Sequence, residues 1–241
     1  DKAGQIVRAG TQGELCTRGY SVMKGYWNDP ERNKDAIRDG WMHTGDAGYF
    51  KKENNHLVVI DRISDLAETS NGDKFSPQFI ENKLKFSPFI AEAVVQGDGR
   101  PYLSAIICIR FEILAKWAEQ RNIAFTNYIN LSAQEKIYEM VQKEVETVNE
   151  TLPAAQQIRK FLLLYKQLDA DDGELTRTRK VRRGVIKEKY ADIIDTIYSD
   201  LDVVHIDTVI TFQDGNKSRI LTDVRVVDLT PSTGNAVKKA M

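Results

Sequence analysis

The sequence has 241 residues, 41% hydrophobic and 29% charged, which is room for one large domain or two small ones around a real core. Its 34 Lys and Arg balance 35 Asp and Glu, so a net charge of −1 excludes a global pull toward nucleic acid or an anionic membrane. Two distant cysteines, Cys16 and Cys108, with no CxxC spacing argue against a disulfide scaffold or zinc site and fit a reducing cytoplasm.

Runs such as "FLLLY" and "AIICI" are too short to span a bilayer. The chain opens on Asp1 without a signal-like segment, and its motif-rich start reads as the middle of something longer. Residues 1–60 read as β-rich. "GELCTRG" is a short strand closed by glycines, and "NDPERNKDAI" a short helix capped by Asn28 or Asp29 with Pro30 at its first turn. "AGYFKKENNHLVVIDR" reads as a hairpin turning at Asn54 and Asn55.

Pro77 starts a helix expected to carry Phe79, Ile80, Leu84 and Phe86 inward, and "AEAVVQ" pairs with "YLSAIICI" across "GDGRP". Residues 111–150 read as helical. "SAQE", from Ser132 to Glu135, has the form of a capping box, followed by one apolar face of Ile137, Met140, Val141, Val145 and Val148. "KFLLLYKQL" is a buried strand, and residues 180–198 read as a last amphipathic helix. Beyond Tyr198 two strands flank Asp214-Gly215, a hairpin signal, and "TPSTGNAVKKAM" reads as a disordered tail.

Three segments hold unusual polar residues at strand ends. In "GWMHTGDAGYF", Asp46 is a carboxylate that can accept two hydrogen bonds from a diol, or simply an aspartate in a turn. In "VVIDRISDLAETSNGDKF", Arg62 offers a planar fork to ribose or phosphate oxygens, or pairs with Asp61 or Asp65 at the surface. "DADDGELTRTRKVRRGVI" is basic at Arg177, Arg179, Lys180, Arg182 and Arg183. It can supply a mobile ammonium to phosphate chemistry, form a solvated face, or contact nucleic acid.

In this order, "GELCTRGYSVMKGYW", "DGWMHTGDAGYF", "DRISDL", "SNGDKFSPQFIE" and "LTRTRKVRR" closely resemble the C-terminal motif series of acyl-CoA synthetases. "HTGD", "DR–xx–DL" and "LTxTxKxRR" resemble the long-chain fatty acyl-CoA synthetases in particular, from about Gly13 to Tyr198. The resemblance implies an AMP-forming acid–CoA ligase. It uses ATP, CoA and a carboxylic acid, and its Mg2+ ligands lie in an N-terminal AMP-binding domain. The phosphate loop, the magnesium glutamate and the acyl pocket of that domain do not occur in these residues, so the 241 residues alone are expected to be inactive. The expected partner is that N-terminal domain, with self-association of the β-rich piece through exposed strand edges. The expected location is cytoplasmic or peripheral to a membrane, with no transmembrane segment.

By the same resemblance Asp46 and Arg62 bind the ribose, Lys180 is the adenylation lysine, Ser64 marks the hinge and Gly72 lies beside the CoA channel. No residue is expected to ligate metal. The family carries Asp or Lys at the hinge, a glycine pair where Asn71-Gly72 stands, and proline where Arg177 stands; Ser64 is the departure that touches a mechanical role. The implied fold is α+β. Residues 1–60 are the end of the large AMP-binding domain, a remnant of its barrel. Residues 61–200 form a lid domain with a central sheet and flanking helices, and 201–241 a hairpin and tail. Two rival readings are an adenylating enzyme that loads a carrier-protein thiol and a basic nucleic-acid module.

Overall fold

The computed structural model describes residues 4–211 and 217–230. Two compact units divide the chain: Asp1–Ala67 with Ser76–Phe79, and Glu68–Phe75 with Ile80–Met241.

The first unit is an open sheet of four strands, β1 (Gly13–Thr17), β2 (Ile37–Arg38), β3 (Trp41–Phe50) and β4 (Leu57–Arg62), with one short helix, α1 (Pro30–Ala36). The long β3 pairs antiparallel with all three others. Asp29 caps α1 by accepting from the Arg32 N–H at 3.0 Å, with Pro30 at the first helical position, where a missing N–H costs nothing. The β3–β4 turn places Asn55 at φ 55°, a conformation asparagine tolerates.

The chain passes from the first unit to the second along β5 (Ala67–Glu68), which forms a two-stranded ribbon with β6 (Lys74–Phe75), and α2 (Pro77–Lys85), whose residues from Ile80 onward belong to the second unit. Its main sheet holds β7 (Ile90–Gln96), β8 (Leu103–Ile109), β9 (Ile158–Leu163), β10 (Val203–Thr211) and β11 (Lys217–Asp228), in the order β10-β11-β9-β8-β7. All neighbours are antiparallel except β8 and β9. That parallel step needs a crossover. Helices α3 (Phe111–Glu119), α4 (Tyr128–Ser132) and α5 (Glu135–Glu150) supply it. Two further helices, α6 (Arg183–Lys189) and α7 (Ala191–Ile197), precede the last hairpin.

Every residue of β8 is buried, so helices must cover both faces. Strand alternation divides the work. Ile106, Cys108, Leu162 and Leu164 join a cluster with Ile186, Ile193, Ile194, Ile197, Val204 and Ile206. On β9, the alternate residue Phe161 stacks instead on Tyr138 of α5, ring centroids 6.3 Å apart. The architecture is α+β, as the sequence implied.

Local expectations fail at three places. Phe86 is 87% exposed, whereas Ile80 and Leu84 are fully buried. α2 ends at Lys85, and Phe86 falls in the turn that follows, about 200° round from Leu84 by helical geometry and pointing away from the core. The capping box does not form. Ser132 ends α4 and donates to the Ile129 carbonyl at 3.1 Å, and Gln134 caps α5 without a side-chain bond. Asn127, the cap of α4, had captured that stretch for a different helix. Residues 180–198 are not one helix: the backbone breaks at Tyr190 (φ −113°, ψ 25°) between α6 and α7.

The Asp214-Gly215 turn and residues 231–241 of the tail lie outside the described residues. The strands on either side of that turn pair in register from Val203↔Arg225 to Thr211↔Lys217. β11 then continues onto β9 through Val226↔Leu162, Val227↔Phe161 and Asp228↔Lys160. The hairpin is therefore part of the central sheet.

Candidate nucleotide-binding pair and lysine loop

Asp46 sits on a bulge. Between the pairs Glu14↔Ala47 and Cys16↔His43, β1 contributes only Leu15, while β3 contributes Thr44, Gly45 and Asp46. Extra residues twist a strand and re-aim its side chains. Gly45 has φ +71°, a left-handed conformation that glycine adopts without steric cost. Thr44 fixes the bulge, its hydroxyl donating to the Leu15 carbonyl at 2.8 Å and accepting from the Asp46 N–H at 3.1 Å.

Arg62 lies directly opposite Asp46 in the β3–β4 register. Its Nε is 3.1 Å from Asp46 Oδ1, and its Nη1 donates to the Thr44 carbonyl at 2.9 Å. The guanidinium thus engages Asp46, not the Asp61 or Asp65 side chains that a surface-pair reading favours. Asp61 is otherwise engaged, accepting from the Arg62 N–H at 2.9 Å and the Ser76 hydroxyl at 2.5 Å. The Arg62 side chain is 61% exposed and that of Asp46 31%, so this ion pair adds about 0–1 kcal/mol to stability. Such a pair is weakly committed to the fold and can exchange its bond for a ligand's hydroxyls. Ser64 follows in a single 3-10 turn, Ile63–Asp65, where its hydroxyl donates to Asp65 Oδ1 at 2.8 Å.

Gly72 lies in the second unit, in the loop joining β5 to β6. Its φ is +86° and no atom stands within 4 Å of where a Cβ would lie. Here glycine serves the turn and leaves the outer side open. The loop is tied down around it: Ser70 N–H donates to the Arg100 carbonyl at 2.9 Å, and Asn71 Nδ2 to the Pro101 carbonyl at 3.2 Å. A polar cleft of about 300 Å3 adjoins it, with Thr69, Asn71, Asp73, Tyr102, Arg159 and Thr230 among its lining residues.

Lys180 occupies a tight loop closed by the Leu175↔Val181 bridge. Thr176 N–H donates to the Lys180 carbonyl at 2.8 Å, and Lys180 N–H donates back to Thr176 Oγ1 at 3.0 Å. Arg179 takes φ 58°, an unusual state for a residue with a Cβ. The Lys180 side chain is exposed and has no ion-pair partner among the described residues, whereas Arg179 and Arg183 do.

Buried acids, unsuspected from the sequence, hold this basic segment. Arg183 makes a two-pronged contact with Glu81, at 2.8 and 2.7 Å, and Glu81 also accepts from the Val95 N–H at 2.8 Å. Glu92 faces Lys85 at 3.2 Å and Arg179 at 3.9 Å. Glu174 is fully buried and accepts from Lys189 at 2.7 Å, Lys166 at 3.1 Å, the Tyr190 hydroxyl at 2.6 Å and the Asp169 N–H at 2.9 Å. Its own carbonyl accepts from the Arg182 N–H at 2.9 Å, so the network anchors one strand of the Lys180 loop.

Burial alone would push the Glu174 carboxyl up. Hydrogen bonds from Lys189, Tyr190 and the Asp169 N–H, with the Lys166 charge, outweigh it and hold the group below the usual carboxylate range. Burial likewise opposes the Lys166 charge, but Asp172 and Glu174 raise the ammonium above its ordinary value. Tyr190 is driven far up by burial and then by Glu174, and stays a donor. The one available sequence signal was Glu92, a carboxylate in the otherwise apolar strand "IAEAVV".

These features define an α+β domain that presents a cationic loop on a buried ionic base, following a β-rich unit with a carboxylate–guanidinium pair. The chain belongs to the family of AMP-binding enzyme C-terminal domains, which it matches over residues 64–202. Over 198 residues it is 35% identical to the long-chain-fatty-acid–CoA ligase FadD15 of Mycobacterium tuberculosis, covering 81% of this chain and 33% of that protein. It is 30% identical over 192 residues to long-chain-fatty-acid–CoA ligase 6 of Homo sapiens, covering 78% of this chain and 27% of that one. The chain thus spans about a third of the length of the curated relatives it matches. Among solved structures, the adenylation domain of a carboxylate reductase from Mycobacterium chelonae shares the fold with a TM-score of 0.54 and 23% identity, over 78% of this chain and 28% of that one. Apo MatB from Rhodopseudomonas palustris does so at 0.53 and 23%, over 80% and 33%. No helix among the described residues is long and apolar enough to cross a membrane.

Proposed function

We propose that this chain is the C-terminal part of an AMP-forming acid–CoA ligase that activates a long-chain fatty acid. The observation that carries the reading is the coexistence, in one chain of this family, of the Asp46–Arg62 pair and the exposed Lys180 on its braced loop. The CoA acceptor, in preference to a carrier-protein thiol, is supported by the names of the curated relatives, which are long-chain-fatty-acid–CoA ligases.

In the first half-reaction a carboxylate oxygen of the acid attacks the α-phosphorus of ATP and pyrophosphate leaves. Two anions must approach, and Lys180 supplies a preorganised positive charge between them. Asp46 accepts hydrogen bonds from the ribose hydroxyls, and Arg62 donates to the same sugar. In the second half-reaction the CoA thiol attacks the acyl carbon and AMP leaves, with the Gly72 loop beside the incoming thiol arm. Ser64 lies at the pivot between the two arrangements. Mg2+ accompanies ATP and is held by an N-terminal AMP-binding domain, the partner this reading requires. The expected setting is the cytoplasm.

The test joins this chain to an AMP-binding domain and measures the half-reactions separately. Lys180→Ala should slow pyrophosphate release by about 10²–10³, the usual effect of removing one preorganised charge stabiliser. Thioester formation from supplied acyl-adenylate should be nearly unchanged. Equal damage to both steps, or none to either, refutes the assignment. The 241 residues alone should release no pyrophosphate.

A further inference from the structure

We propose that Glu14, Cys16 and His43 form a binding site for a divalent cation of the class zinc occupies, at the foot of the bulge that carries Asp46. One ligand atom from each residue lies within 4.8 Å of the others, the one such three-donor group among the described residues. Thiolate, imidazole and carboxylate are zinc's donor set. Magnesium, which asks for hard oxygen ligands, is a poor fit to sulfur and nitrogen. The linear sequence hides the site, because its donors sit at positions 14, 16 and 43 without a familiar spacing.

Sheet geometry brings them together. Glu14 and Cys16 are two apart on β1, so they share a face, and Cys16 is the register partner of His43. Cys16 Sγ is 3.4 Å from His43 Nδ1, and Glu14 Oε2 is 2.9 Å from the same nitrogen. These spacings are close to those that donors on one tetrahedral ion, with bonds of about 2.0–2.3 Å, keep from one another.

A second observation concerns that nitrogen. Arg38 Nη2 also reaches it, at 2.8 Å, so a thiol, a carboxylate and a guanidinium converge on one ring atom. A ring nitrogen has one in-plane position, either a lone pair or a hydrogen. The guanidinium can only donate to it and the carboxylate can only accept from it, so no protonation state serves all three. A cation resolves the conflict by taking the Nδ1 lone pair, the carboxylate oxygen and the sulfur together. The Cys16 proton goes to solvent on binding. The two anionic ligands then neutralise the dication, and water completes the fourth position. Arg38, whose side chain is 54% exposed, swings outward.

Glu14 has a further role, since its Oε1 accepts from the Gly45 N–H at 3.4 Å. The ion would therefore hold both sides of the Thr44–Asp46 bulge. This is a structural clamp, independent of whether the ligase reading is correct.

The experiment titrates Co2+ into the reduced, chelator-treated 241-residue chain. Saturation at one equivalent is expected, with tetrahedral visible bands and a sulfur-to-cobalt charge-transfer band that Zn2+ abolishes by displacement. Cys16→Ser should remove the charge-transfer band, and Cys16→Ser and His43→Gln should each weaken Zn2+ binding at least about tenfold. Arg38→Ala should bind at least as tightly as the parent. Far-UV circular dichroism checks that each variant folds; if His43→Gln does not, Cys16→Ser, at an exposed position, carries the comparison. Absence of a saturable charge-transfer band, its survival in Cys16→Ser, or unchanged affinity in folded variants overturns the proposal.

Discussion

Replacing Glu174 by Gln tests whether the buried ionic base holds the second unit and the Lys180 loop together. The wild-type carboxylate meets four donors: Lys189, Lys166, the Tyr190 hydroxyl and the Asp169 N–H. Glutamine keeps the shape, but one of its two polar ends becomes a donor and faces donors. Two ammonium groups then lose their buried counter-charge. Breaking a buried pair from one side costs about 3–5 kcal/mol. Lys189 is 39% exposed and also has Asp172 at 3.4 Å, so it recovers part of the loss and the low end applies. About 3 kcal/mol corresponds to a fall in Tm of roughly 6–12 °C for a protein this size. Thermal denaturation followed by circular dichroism measures it. Limited trypsinolysis adds a local readout, since Arg177, Arg179 and Lys180 are exposed and should be cut faster once the Glu174 segment loosens. A Tm within about 2 °C of the parent, with unchanged cleavage, would show that the network is not what anchors the loop.

The depressed carboxyls and the raised lysine also set a pH dependence. Hydrogen bonding to Lys166, then its charge and that of Lys189, holds Asp172 below the usual range, as Glu174 is held. Their stabilisation is complete above the ordinary carboxylate value near pH 4 and fades as pH falls through the lower folded values. Lys166 works the other way: its contribution is complete below about pH 10 and is lost as pH rises through its raised value. Asp172→Asn should therefore flatten the acid side of a Tm–pH curve, and an unchanged acid slope would contradict the assignment. The orientation of α2 gives a simpler check by chemical denaturation. Leu84→Ala should cost about 2–5 kcal/mol, because it opens a cavity at a fully buried site, and Phe86→Ser less than about 0.5 kcal/mol. Comparable losses would reverse the helix face.

The fold was legible wherever a local rule matched what tertiary packing required. Asp29-Pro30 marked the start of α1, Asn54-Asn55 turned β3 into β4, and the alternating and apolar runs around "GDGRP" became β7 and β8. The capping box misled because Ser132 already belonged to a helix that Asn127 had started. The last helix broke because Tyr190 directs its hydroxyl into the Glu174 cluster, a long-range demand with no local signature. The same holds for the candidate site. Asp46, Arg62, Ser64, Gly72 and Lys180 stand out only as members of an ordered motif series, and the β3–β4 register then brings the first two together. Glu81 was not legible as a support for the basic loop, because its partner Arg183 lies far along the chain, and Glu92, though visible as a carboxylate in an apolar strand, gave no sign that Arg179 would face it. Charge in a sequence reads as surface until its buried counterpart is known.

The residues matched by the family stop at 202, one position before β10 begins, yet β9 has a hydrogen-bonding edge that β8 leaves unfilled. Left bare, an edge lined by Phe161, Leu162 and Leu163 is the kind of template on which chains stick to one another. The terminal hairpin covers it through three residue pairs and moves the outer edge of the sheet to β10. His205 and Asp207 of β10, paired with Asp223 and Arg219 of β11, put charge and polarity on an exposed face of the hairpin. The hairpin thus acts as a guard rail for the sheet: an extension beyond the matched residues that covers an apolar border and ends the sheet on a strand carrying His205 and Asp207, the kind of side chains that discourage edge-to-edge pairing.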